Sequence, residues 1–143
     1  MKILIDADGC PVVDIALSLG KAYGISCLII CDTAHYIYRD GAETLVVDKG
    51  ADSADLAIAN RAQPGDIVIT QDYGLASMCL AKDARVLHQN GWAYTQYNID
   101  ALLLERHEAR RYRAGGGRTK GPSRRTRDQD AAFHAALQKL LQG

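Results

Sequence analysis

Short apolar runs without polar alternation recur along this chain, and they restrict its fold more than any other feature. Ile3 to Ile5, Cys27 to Ile30, Thr44 to Val47 and Ile67 to Thr70 are strand-sized and nearly continuous in apolar character. Strands lose the alternation of buried and wet residues when both of their faces are covered, as in a parallel sheet with helices on either side. Between the runs lie stretches with helical spacing. Val12 to Tyr23 follows Pro11, which suits a first helical position, and is closed by Gly24. A second helix begins near Asp52, runs to about Arg61 and is broken by Gln63-Pro64-Gly65, and a third spans roughly Tyr73 to Ala81. Arg85 to Leu87 fits a fifth strand, and the alternating Tyr94-Thr-Gln-Tyr97 suggests an edge strand. Asn98 stands at the head of a helix with Ile99, Leu102 and Leu103 on one face and a basic far end. Thr126 and Gln129 form a capping box for a last helix at about 128–142, with Phe133, Ala136, Leu137, Leu140 and Leu141 as its buried stripe. The expected fold is α/β: a three-layer α/β/α arrangement with a mostly parallel central sheet, in a single domain over residues 1–143.

A chain of 143 residues can bury one core without disulfides or a structural metal. Its four cysteines agree with that, because none forms a Cys-x-x-Cys pair and no histidine stands at zinc-site spacing. Cys10 lies beside two acids that disfavour a thiolate, so packing or a turn is its expected role. His35, His88, His107 and His134 show no ligand spacing, and no role is assigned to them. No apolar run approaches the roughly 20 residues of a membrane span and no charged-then-apolar leader precedes the first strand, so no membrane partner and a cytoplasmic location are expected. The 17 basic residues balance 17 acidic ones. Any attraction to a polyanion must therefore be local.

Acids recur where elements begin and end. Asp6 and Asp8 follow the first strand, Asp52 and Asp55 open the second helix, and Asp72 follows the fourth strand. Asp52 and Asp72 suit N-caps, and Asp55 suits a first helical turn. Asp6 caps nothing directly. Gathered at one sheet edge, such carboxylates repel one another unless a cation sits among them, and hard oxygen donors in that number suit Mg²⁺ or Mn²⁺.

The segment Ala54-Asp55-Leu-Ala-Ile-Ala59 and then Gly65-Asp-Ile-Val-Ile-Thr70-Gln-Asp72-Tyr-Gly-Leu-Ala76 resembles the PIN-like nuclease superfamily, in which a helix acid is followed by an apolar strand ending Thr-x-Asp. The opening Asp6-Ala-Asp8-Gly-Cys10-Pro11-Val12, with Gly50-Ala-Asp52-Ser-Ala-Asp55, is more closely similar to the bacterial YaiI/YqxD-like family, an uncharacterised branch of that superfamily. The similarity extends to about Arg127. It implies that Asp6, Asp55 and Asp72 are the catalytic metal-binding acids, with Asp8 and Asp52 as further ligand candidates. One or two Mg²⁺ or Mn²⁺ ions would then activate water against a phosphodiester. The two acids and Gly-Cys-Pro turn after the first strand depart from the single acid usual in PIN nucleases.

The second local signal is basic. Arg106, Arg110, Arg111, Arg113, Arg118, Lys120, Arg124, Arg125 and Arg127 stand against one acid, Glu108, in a segment at about 106–127 expected to be flexible around Gly115 to Gly117. Such a segment suits an irregular polyanion such as RNA, the alternative being a solvated loop that balances acids elsewhere. Arg106 apart, these eight residues are the nucleic-acid-binding candidates. Trp92, Tyr94 and Tyr97 have rings that can stack on bases, although packing is the expectation for Trp92. The leading function is a metal-dependent nuclease, a ribonuclease in particular. One alternative is a non-catalytic RNA-binding module. Another is a haloacid-dehalogenase-like phosphatase, because Asp6-Ala-Asp8-Gly9 also resembles its nucleophile and acid pair. Lys49 and Asp72 fit that second scheme loosely.

Overall fold

The computed structural model describes residues 1–50, 53–118 and 124–143. Six strands form one sheet: β1 (Lys2–Asp6), β2 (Ser26–Asp32), β3 (Glu43–Val47), β4 (Ile67–Ile69), β5 (Arg85–Leu87) and β6 (Ala93–Tyr94). Among the described residues there are five helices: α1 (Val13–Ala22), α2 (Ser53–Arg61), α3 (Tyr73–Leu80), α4 (Ile99–Ala114) and α5 (Arg127–Gln142). The strand order is β3-β2-β1-β4-β5-β6. All neighbours pair parallel except β5 and β6, which are antiparallel.

Period-two geometry divides the apolar strands between two cores. Ile3, Ile5, Ile29, Cys31, Ile67 and Ile69 pack on one side against α1 and α5, where Phe133 and Leu137 are fully buried. Leu4, Ile30, Val68 and Val86 pack on the other against residues of α2, α3 and α4, including Ile58, Leu75 and Ile99. The three-layer α/β/α expectation from the continuous runs is met. No helix among the described residues is long and apolar enough to cross a membrane.

Several boundaries moved, each for a local reason. Pro11 lies outside α1, whose N-cap is Val12 with no side-chain cap bond. The proposed edge strand shrinks to Ala93–Tyr94, because Thr95 turns the chain by accepting the Tyr97 and Asn98 amides on Oγ1. Tyr97 is left exposed. Asn98 is the N-cap of α4 by position only; its side chain accepts from the Thr95 amide and donates to the Ala93 carbonyl. Arg106 to Arg113, expected in the flexible basic segment, are helical, since α4 continues to Ala114. The capping box of Thr126 and Gln129 is present at α5.

Candidate active site

β1 lies in the interior of the sheet. From it the chain proceeds to β2 and β3 on one side, then crosses through α2 to β4 on the other. In open α/β sheets this reversal opens a crevice at the carboxyl ends of the strands. Asp6 ends β1 there, and Thr70-Gln71-Asp72 leaves β4 beside it. A cleft of about 690 Å³ opens at this edge. Asp6, Asp8, Asp32, Asp55 and Asp72 line it, together with Glu105, Arg106 and Arg113 of α4.

Asp6 is flanked by β2 and β4 and is half-buried, so its charge is costly. Burial pushes its carboxyl up to about 6; the hydrogen bond from Thr70 opposes this, while the charges of Asp72 and Asp8 add to it. Thr70 is itself buried. Its hydroxyl donates to Asp6 Oδ2 at 2.7 Å and accepts the Asp72 amide at 3.0 Å. One side chain thereby fixes two acids relative to each other.

Asp72 is the N-cap of α3. Its Oδ1 accepts from the amides of Gly74 at 2.8 Å and Leu75 at 3.2 Å, and from Arg106 Nη1 at 3.2 Å. The capping role expected of Asp72 and its place in the acidic cleft are thus both real. Asp55 stands half-buried in the first turn of α2 and faces the same cleft. Asp52 and Lys120 lie outside the described residues.

Asp8 is exposed, beyond Asp6. It approaches His35, whose Nδ1 lies 3.3 Å from Asp8 Oδ1 and 2.8 Å from Asp32 Oδ1. The hydrogen bond to Asp32 and the charge of Asp8 raise the His35 pKa, and the same hydrogen bond lowers that of Asp32. Donor atoms of Asp8, Asp32 and His35 all lie within 4.8 Å of one another, close enough for one ion. Neither Asp32 nor His35 was singled out from the sequence. Asp32 carried a usable signal, since it ends the apolar run of β2 as Asp6 ends β1. His35 carried none, because only the β2–β3 loop brings it to the edge.

The chemistry of the donor set fits a divalent cation. Its atoms are carboxylate oxygens with one imidazole nearby, and a cation would relieve the cost of charge on the half-buried Asp6. The basic candidates divide. Arg110, Arg111, Arg113, Arg118, Arg124 and Arg127 are all exposed, and of these Arg113 lines the cleft. Arg125 is bound inward, donating to Asp130 Oδ1, Asn90 Oδ1 and the Gln89 carbonyl. Cys10 is half-buried against the core and its pKa is raised chiefly by burial, in accord with a packing role. Trp92 stacks on His88 and meets Tyr94 and Tyr73 edge-on, so its ring is used in packing.

The family model described as "Uncharacterized BCR, YaiI/YqxD family" matches residues 4–143. A UPF0178 protein of Exiguobacterium sibiricum is 51% identical over 141 residues, covering 99% of this chain and 96% of the relative. One from Natranaerobius thermophilus is 48% identical over 142 residues, covering 99% of this chain and 96% of the relative. One from Alkaliphilus oremlandii is 47% identical over 137 residues, covering 96% and 88%. No solved structure matches the chain.

Proposed function

We propose that this chain, which belongs to the bacterial YaiI/YqxD family, is a divalent-metal-dependent phosphodiesterase acting on a nucleic-acid backbone, RNA foremost. The observation that carries the reading is the presence of acids and cations in one cleft. Five aspartates line the cleft at the topological switch point together with Arg106 and Arg113. Acids serving only as local caps have no reason to converge there, and a cleft serving only as a cation site has no reason to carry arginines.

Asp6, Asp55 and Asp72 would hold Mg²⁺ or Mn²⁺, with Asp8, Asp32 and Asp52 as additional donors. When bound, such an ion supplies a nucleophilic water at neutral pH and stabilises charge on the phosphoryl oxygens. The chain's own residues set the geometry. Thr70 orients Asp6, and the α3 amides orient Asp72. Arg106 and Arg113 offer fixed positive charge to the non-bridging oxygens of a phosphodiester lying in the cleft. The test is cleavage of end-labelled RNA by the full chain in Mn²⁺ or Mg²⁺. Asp6→Asn should lower the rate by roughly a hundredfold or more while leaving the circular dichroism spectrum unchanged. Failure of the wild-type chain to cut any RNA or DNA in saturating Mn²⁺ would overturn the reading.

A non-catalytic RNA-binding module is the second reading, favoured by one observation: Asp72 is already engaged by its helix and by Arg106. It requires RNA binding without turnover. The phosphatase alternative requires hydrolysis of a chromogenic phosphomonoester that depends on both Asp6 and Asp8.

A further inference from the structure

We propose that Arg106 is an exchangeable counter-ion of this cleft: its guanidinium neutralises Asp72 in the metal-free protein and turns to a backbone phosphate of the nucleic acid once a divalent cation takes Asp72 over. The inference rests on the metal-dependent reading above and assigns a role to one residue within it.

Four features support the exchange. First, the ion pair is easily given up. Arg106 Nη1 and Asp72 Oδ1 are 3.2 Å apart, with side chains 34% and 33% exposed, so solvent screens the contact. Pairs of that kind hold weakly compared with a divalent ion among several carboxylates. Second, Asp72 does not depend on the arginine for its orientation, because the Gly74 and Leu75 amides hold the same oxygen. The carboxylate therefore stays in place when the guanidinium leaves. Third, residue 74 leaves room for the guanidinium. A Cβ on Gly74 would lie 3.3 Å from Asp72 Oδ1 and 3.4 Å from Arg106 Nη1, at close contact with both partners. Fourth, the recorded contact with Asp72 uses Nη1, whereas a guanidinium presents five donors in a planar fork that matches phosphate oxygens.

The charges facing Arg106 give the exchange its direction. Asp6, Asp55, Asp72 and Glu105 line the cleft around it, with Arg113 two turns further along α4. A divalent ion entering among those acids competes directly with the arginine for Asp72. It also repels the displaced guanidinium toward whatever anion shares the cleft.

The test uses the full chain with Arg106→Gln and Arg106→Glu, which remove the positive charge in one step and reverse it in two. Mn²⁺ binding is measured by electron paramagnetic resonance of the free ion, without nucleic acid. RNA binding is measured in Mn²⁺ by fluorescence anisotropy of a hydrolysis-resistant phosphorothioate oligoribonucleotide. Arg106→Gln should bind Mn²⁺ roughly three- to fivefold more tightly than wild type, and Arg106→Glu more tightly still. Both should bind the oligonucleotide more weakly, in the same order. The opposite signs are the signature, since a structural role would weaken both. Wild-type Mn²⁺ binding that the substitutions leave unchanged or weaken overturns the exchange alone. Absence of Mn²⁺ binding in wild type and variants alike overturns the metal reading and the exchange with it.

Discussion

Asp6 follows the apolar run Ile3 to Ile5 of β1, between two other strands, where its ionised form is held against the cost of burial. That cost has a definite pH dependence. Below about 3.8 the folded and unfolded chains both carry the proton, and burial costs little. Between 3.8 and about 6 the unfolded chain ionises first, so stability falls as pH rises, and the penalty is complete above that range. Asp6→Asn should therefore stabilise the fold in chelator at pH 7 by about 1–3 kcal/mol, and the gain should vanish near pH 4. Chemical denaturation at the two pH values checks this. A residue placed only for stability would show the reverse. The sequence pointed to Asp6 because an apolar run ended in acid. It did not point to His35, whose place beside Asp8 and Asp32 comes from the path of the β2–β3 loop.

At the scale of elements, α4 carries the most consequence. It is one continuous helix from Ile99 to Ala114, so the basic residues up to Arg113 are held in rigid register. Arg106 and Arg113 are seven positions apart and both line the cleft, while Arg110 and Arg111 do not. If α4 tracks a nucleic-acid backbone, the affinity for single-stranded RNA should fall roughly twentyfold between 50 and 200 mM salt. Replacing Arg110 and Arg111 together by Gln should lessen the slope by about one unit. Arg125, tied to Asn90, Gln89 and Asp130, should leave the slope unchanged when replaced and lower the melting temperature instead. Salt titrations monitored by anisotropy separate the two classes. Composition identified this basic stretch but could not divide it, because a charge count does not record which arginines point inward.

Across the whole molecule, the sheet holds acids of different kind at its two ends. At the amino ends of the strands, Asp66 is buried and bound by Lys2 Nζ at 2.6 Å and by the amides of Lys2 and Gln63. Burial works against its charge, but these donors outweigh it and hold its carboxyl below the usual carboxylate range. Its share of stability is present at neutral pH and lost as pH falls through that lowered pKa in strong acid. Asp66→Asn should cost about 2–3 kcal/mol at pH 7 without changing metal binding, which denaturation with and without Mn²⁺ checks. At the carboxyl ends, Asp72 pairs with Arg106, and Asp8 and Asp32 approach His35.

The strands, the helices and the acids at their ends were determined by the sequence alone, because periodicity and capping are local and each run shows how many of its faces are covered. Tertiary structure decided which of those acids meet. Strand order is set by crossovers and by packing between residues far apart in the chain. Only once β4 lies beside β1 do Asp6 and Asp72 share a hydroxyl 64 residues from the first of them. The same packing, with α4 laid against α3, carries Arg106 to an aspartate 34 residues away.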